Sequence, residues 1–208
     1  MVRKRRQNRT SLVLERLEDR TLLSWGTDGI VLTSFTNSKN GGEDNAEAVA
    51  LQADGRIVAV GHTRPRLSKN IAHDFALARY TSSGSLDTSF DGDGKVTTQV
   101  TKGGTYGGLD RAYAVALQTD GKIIAAGSTS PYDWINMPDE DWALVRYRTN
   151  GRLDSSFGSG GKVITNLGTN IVGSIQGLVL QPDGKIIAAG GSQLATGAPL
   201  TLTLVRYN

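Results

Sequence analysis

The sequence contains no cysteine, which excludes disulfides, thiolate metal sites and cysteine nucleophiles together. No apolar run approaches the roughly 18 residues of a membrane helix, so nothing in the chain is expected to span a bilayer. The local signatures of common enzymes are missing too: there is no GxSxG elbow, no Walker loop, no GxGxxG between strand and helix, and no HExxH. That lowers the expectation of catalysis without removing it, because carboxylate pairs have no fixed sequence spacing.

Charge of one sign is also scarce outside the first residues. The formal net charge is +3. Residues 1–24 hold seven basic and three acidic groups, leaving a body with net charge −1. A near-neutral body lacks the basic stripe that phosphate binding needs, so nucleic acid is not an expected partner. Within residues 1–24 only Leu12, Val13 and Leu14 form a continuous apolar stretch, too short for a secretory signal core. The segment reads as a mostly disordered basic tail.

What the sequence has in abundance is repetition, within 208 residues that fit one domain or one array. Leu51-Gln52-Ala53-Asp54-Gly55-Arg56-Ile57 recurs at Leu117 to Ile123 and at Leu180 to Ile186. Each copy reaches Arg79-Tyr80, Arg146-Tyr147 or Arg206-Tyr207. The first two continue into Gly84-Ser85-Leu86-Asp87-Thr88-Ser89-Phe90 and Gly151-Arg152-Leu153-Asp154-Ser155-Ser156-Phe157. The units divide as 25–88, 89–155 and 156–208.

Within a unit every signal is β. A first short strand is expected around Ile30-Val31, Lys95-Val96 or Lys162-Val163. A hairpin follows, from Ala48 to Gln52 and Arg56 to Val60 in the first copy, and Phe75 to Tyr80 makes a fourth strand. The Asp-Gly turns require a type I turn closed by a glycine of positive φ, at Gly121 and Gly184 for example. Ile123-Ile124-Ala125-Ala126-Gly127 and Ile186-Ile187-Ala188-Ala189-Gly190 are apolar at every position, the pattern of a strand covered on both faces. Small Ala and Gly at its end would let neighbouring sheets approach. The fold class expected is all-β: three propeller-like blades of about four antiparallel strands each, in an incomplete or open propeller.

The pattern xLQxDGKIxxAG, LxRY, GxLDxSFGxxGKV resembles the delta-60 repeat of bacterial secreted and surface proteins. Arg16-Leu17-Glu18-Asp19-Arg20-Thr21-Leu22-Leu23-Ser24 resembles the LEPR-XLL segment of exported bacterial surface proteins, with Asp19 where that motif has Pro. The resemblances imply a propeller-like scaffold, an extracellular or cell-surface location, and removal or sorting of the N-terminal segment during export. They supply no catalytic residue.

Function is expected in the loops that differ between copies: Thr36 to Asn45, Thr101 to Arg111 and Asn166 to Ser174 on one side of the repeat, with His62 to Asp74, Ser128 to Asp141 and Gly191 to Thr201. His62 and His73 occur only in the first copy and lack HxxxH spacing, so they read as solvated or core histidines in preference to a metal or base role. Asp91-Gly92-Asp93-Gly94 partly matches an oxygen-rich calcium loop, making Asp91 and Asp93 the metal candidates and Ca2+ the one cofactor considered against a plain turn. Asp133, Asp139, Glu140 and Asp141 form an acidic loop near Trp134 and Trp142, raw material for a sugar site if it is not simply solvated. Trp25, Tyr80, Trp142, Tyr147 and Tyr207 read as core or blade-interface aromatics. Asp87 and Asp154, repeated in the connectors and following Arg79 and Arg146, read as structural hydrogen-bonding partners of the blade.

The leading expectation is a non-enzymatic exported scaffold that associates with itself or with a protein or glycan partner through loops and edges. A carbohydrate-active propeller hydrolase or lyase is the alternative. Because Arg206-Tyr207-Asn208 and Ser24-Trp25-Gly26 read as complementary parts of one junction, a closed, soluble, monomeric propeller is not expected.

Overall fold

The computed structural model describes residues 29–35, 42–64, 72–101, 108–131, 139–194 and 197–208. Trp25, Asp133 and Trp134, with the tail, lie outside them. The described residues contain eleven strands and no helix: β1 (Glu43–Leu51), β2 (Ile57–Arg64), β3 (Asp74–Tyr80), β4 (Lys95–Thr98), β5 (Arg111–Leu117), β6 (Ile123–Thr129), β7 (Asp141–Tyr147), β8 (Lys162–Thr165), β9 (Ile171–Leu180), β10 (Ile186–Leu194) and β11 (Thr201–Tyr207). They form three antiparallel meanders, β1-β2-β3-β4, β5-β6-β7-β8 and β9-β10-β11, none closed on itself.

The Asp-Gly turns form as their chemistry requires. Gly55, Gly121 and Gly184 have φ of 82°, 80° and 84°. In the first copy Gly55 N donates to Gln52 O (2.9 Å) and Gln52 N to Arg56 O (2.7 Å), the pairing of a type I turn with a glycine bulge.

The phase of the blade differs from the sequence reading. Lys95 to Thr98 pairs with β3, and Lys162 to Thr165 with β7, so the short strand is the last of the preceding sheet and not the first of the next. The connector explains why. Thr81 N donates to Ser85 O, Asp87 N to Arg79 O and Gly94 N to Phe90 O, folding residues 81–94 into successive turns that return the chain beside the strand it has just left. The two connectors are clamped alike. Arg79 Nε donates to Asp87 Oδ2 (2.8 Å), and its guanidinium carbon lies 4.5 Å from the centre of the Phe90 ring. Arg146 Nε lies 2.9 Å from Asp154 Oδ2, an ion pair too far off axis to be a hydrogen bond, and its guanidinium stacks on Phe157 at the same 4.5 Å. Asp87 and Asp154 thus play the structural part their repetition implied.

The middle sheet is buried on both faces, and its alternation sorts side chains to two cores. Ile123, Ala125, Val145 and Tyr147 pack against Val58, Val60, Phe75 and Leu77 of the first sheet. Ile124, Ala126, Trp142 and Leu144 pack against Ile175, Ile186 and Ala188 of the third. Every residue of β6 is buried, which is why that strand shows no alternation of polarity. The like-patterned Ile186 to Gly190 is covered on one face only: Ile186 and Ala188 are buried against the second sheet, whereas Ile187 and Ala189 face away from it and stay partly exposed, a correction to the reading of that strand.

One contact repeats at each sheet junction. Tyr147 Oη donates to Thr98 Oγ1 (2.8 Å), and Tyr207 and Thr165 share a hydroxyl pair at 2.9 Å. Tyr80 Oη donates likewise to Thr33 Oγ1 (2.7 Å). Lys162 Nζ donates to Gln99 O and Lys95 Nζ to Ser34 O. Residues 29–35 therefore stand to the first sheet as β4 stands to the second and β8 to the third.

Each first strand carries a β-bulge at the same place, with Glu47, Tyr113 or Gln176 as the extra residue. The bulged carbonyls of Asn45, Arg111 and Ser174 press onto Gly61, Gly127 and Gly190, where a Cβ would overlap them. This corrects the reading of these glycines as spacers between sheets. Their main role is within the sheet, although Gly190 also meets Trp142 of the neighbouring sheet.

Candidate functional site

The Asp-Gly turns and the Arg–Asp connectors occupy one end of the sheets, tied across blades by Arg79 Nη1 to Thr149 O (2.6 Å) and Asp91 N to Asn150 O (2.9 Å). The variable loops occupy the other end. There His73 N donates to Gly108 O and Asp110 N to His73 O, joining the first and second blades, while Leu109 N donates to Ser130 O within the second.

At this loop end the structure brings together Glu43, His62 and His73, whose candidate ligand atoms all lie within 4.8 Å of one another. The bulge at Glu47 produces the meeting: it shifts the register so that Glu43 pairs with Arg64 and Asn45 with His62. His62 pairs with Phe75, and the same register places His73 opposite Arg64. All these side chains share the face turned to the second sheet. The two imidazoles lie edge to face with centroids 5.1 Å apart. Both are buried, and neither Nδ1 has a hydrogen-bond partner. Asn45 Nδ2 donates to His62 Nε2 (3.1 Å), His73 Nε2 lies 3.9 Å from Glu43 Oε2, and Glu47 Oε1 lies 3.8 Å from His62 Nδ1. Burial first, then the Arg111 charge, lowers both imidazole pKa values, that of His73 to about 4. Both rings are therefore neutral near pH 7, with a lone pair available.

The equivalent pair of positions differs in each blade. His62 and His73 correspond to Ser128 and Glu140 in the second, where Ser128 Oγ donates to Glu140 Oε1 (2.8 Å). In the third they correspond to Gly191 and Leu200, with Leu200 lying over Gly191. One spot on the scaffold thus carries an imidazole pair, a hydroxyl–carboxylate pair or an apolar contact.

Asp110, Asp44, Asp139, Glu140 and Asp93 are occupied with structure. Asp110 is fully buried and accepts from Val100 N (2.7 Å), Thr101 and Thr129; burial lifts its pKa to about 6 against those bonds. Asp44 does the same work one blade earlier, accepting from Phe35 N and from Thr63 Oγ1. Sequence reasoning missed this pair, although the shared Asp-x-Ala of Asp44-Asn45-Ala46 and Asp110-Arg111-Ala112 was visible. In the acidic loop Asp139 accepts from Asn170 N, Glu140 is held by Ser128, and Asp141 begins β7. Trp142 is fully buried in the core between the second and third sheets and offers no platform to a ligand. Asp93 Oδ1 accepts from Lys95 N (2.9 Å), and Asp91 stands at φ 50° in the same turn. Among the described residues these two join no group of three potential metal ligands.

Stacked antiparallel meanders of three or four strands, repeated in sequence and linked by equivalent contacts, define a β-propeller-type repeat protein. The family described as "Domain of unknown function (DUF5122) beta-propeller" matches residues 52–90, 118–157 and 181–208, and the chain belongs to it. No curated protein matches the chain. Among solved structures, one similar to it is the crystal structure of exo-1,5-alpha-L-arabinanase from a bovine ruminal metagenomic library. The identity is 10%, over 77% of this chain and 72% of that one, at a TM-score of 0.25. A likeness at that level carries no argument about activity.

Proposed function

We propose that the chain is a non-enzymatic scaffold of the delta-60 type that associates through its sheet faces and edges, with copies of itself as the first partner. The observation supporting this is the pairing of two unlike apolar ends. On the outer face of the third sheet Val179, Leu202 and Leu204 are exposed, with relative accessibilities of 62, 79 and 62%. At the opposite end Ile30, Leu32, Val49 and Leu51 are exposed, and a cleft of about 230 Å3 lies between residues 31–35 and the alanines of the first sheet. Joining one end to the other would repeat the stacking already made twice inside the chain, a heterologous contact that extends head to tail. The resemblance of residues 16–24 to LEPR-XLL supports placing this scaffold outside a bacterial cell.

Size-exclusion chromatography with light scattering on the full chain tests the association. Species heavier than the 22.1 kDa chain, growing with concentration and dispersed by Leu202→Glu with Leu204→Glu, are expected. A monodisperse single-chain species on concentration overturns self-association. A glycan array read for hydrolysis tests the non-enzymatic part, which any cleaved glycan would overturn.

A further inference from the structure

We propose that Glu43, His62 and His73 form a binding site for a borderline divalent transition metal, zinc in the first instance. The chain has only two histidines and no cysteine, and the fold brings both imidazoles to one buried spot beside a carboxylate. Two neutral imidazoles and a carboxylate are a donor set that zinc accepts, with a further position left for solvent or a fourth side chain. Glu47, 3.8 Å from His62, is the nearest such side chain shown.

Geometry and satisfaction point the same way. Donor atoms around a tetrahedral zinc sit about 3.3 Å apart, so atoms now within 4.8 Å must close by roughly 1.5 Å. Glu43 can supply most of that movement, since its side chain is 43% exposed and held by Arg64 Nη2 at 3.1 Å, a long bond from Asn45 Nδ2 at 3.4 Å and the approach to His73. The rings, in contrast, are fixed by the register of β2 and β3. A buried polar atom without a partner is uncommon and destabilising in a folded protein, and this cluster has two, the Nδ1 atoms of His62 and His73. A metal would engage an Nδ1 directly in the tautomer that puts the ring proton on Nε2. Asn45 is placed to act behind the ligand: a flip of its amide lets Oδ1 accept from His62 Nε2–H and orient the ring for coordination through Nδ1.

The site would tie β1, β2 and the residue preceding β3 together at the loop end, next to the junction with the second blade. The second and third blades replace the histidine pair by Ser128 with Glu140 and Gly191 with Leu200, so one metal per chain follows.

Untagged full-length protein titrated with zinc chloride at about pH 7.5, where neutral imidazoles are free to coordinate, provides the test. Calorimetry should give one zinc per chain, and cobalt should give the visible absorption of a low-coordinate nitrogen–oxygen site. His62→Asn and His73→Asn should each weaken binding at least about 100-fold, and Asn45→Ala about 10-fold. The unfolding temperature should rise by roughly 5 to 10 °C at zinc roughly 100-fold above Kd. Imidazole 15N shifts of the wild-type protein on adding zinc keep the test open even where a histidine variant fails to fold. Unmoved 15N shifts, absence of saturable binding, or full binding by a folded double-histidine variant would each overturn the proposal.

Discussion

Replacing Gly127 with alanine tests the account of the bulge. Gly127 sits opposite Ala112 in β6, and its φ is not positive, so alanine meets no backbone strain of its own. The obstacle is the bulged strand: a Cβ would overlap Arg111 O outright and lie 2.9 Å from both Arg111 C and Ala112 Cα. These are backbone atoms and cannot rotate away. Relief requires the bulge to retreat by about 1 Å, losing one or two ladder hydrogen bonds at about 1 kcal/mol each, with a further 1 to 2 kcal/mol of disturbed packing. Alanine also restricts the unfolded chain, returning roughly 0.5 to 1 kcal/mol. The net expectation is a destabilisation of about 2 to 3 kcal/mol, or roughly 5 to 10 °C in Tm. Gly177→Ala is the control, because a Cβ there meets nothing within 4 Å and φ is again not positive; it should be neutral or slightly stabilising. Urea unfolding of both variants, with m-values compared, decides the matter. Gly127→Ala within about 0.5 kcal/mol of wild type would refute the carbonyl contact as the reason for glycine.

Three further outcomes follow from other contacts. Gly184→Val, at φ 84° with nothing within 4 Å, should cost at least about 1 to 2 kcal/mol by strain alone, and Gly184→Asn less; near-equality of the two in chemical denaturation would count against the turn assignment. Tyr147→Phe should cost about 1 to 2 kcal/mol by leaving the buried Thr98 hydroxyl unpaired, more than Tyr80→Phe at the half-buried outer position, and equal losses would contradict that ordering. The Ser156 hydroxyl, ahead of the Ser156 amide, Arg146 and Lys122, holds the Asp154 carboxyl down at about 2 against burial. Its folded pKa lies below the unfolded value, so its contribution is present above about pH 4 and is lost as pH falls toward 2. The stability gap between wild type and Asp154→Asn should shrink over that interval in urea midpoints measured against pH; a gap that stays constant would show that the ion pair does not titrate with folding.

The sequence by itself determined the repeat, the all-β class, the Asp-Gly turns and the doubly covered middle strand, because each is written in local residue chemistry at a fixed period. It also marked Asp87 and Asp154 as structural, since they recur in the connectors, and the structure supplied Arg79 and Arg146 as their partners. Tertiary structure decided which sheet the Lys95 and Lys162 strands join: a four-residue strand carries too little pattern to name its neighbour, and the folded connector chooses for it. Structure alone also set the register. A bulge adds one residue without a strong local signal, yet it turns Asn45 and Glu43 onto the face of His62. Residues 43, 62 and 73 share no spacing that sequence could recognise, and they meet only because three adjacent strands, shifted by that one residue, bring their ends to the same face.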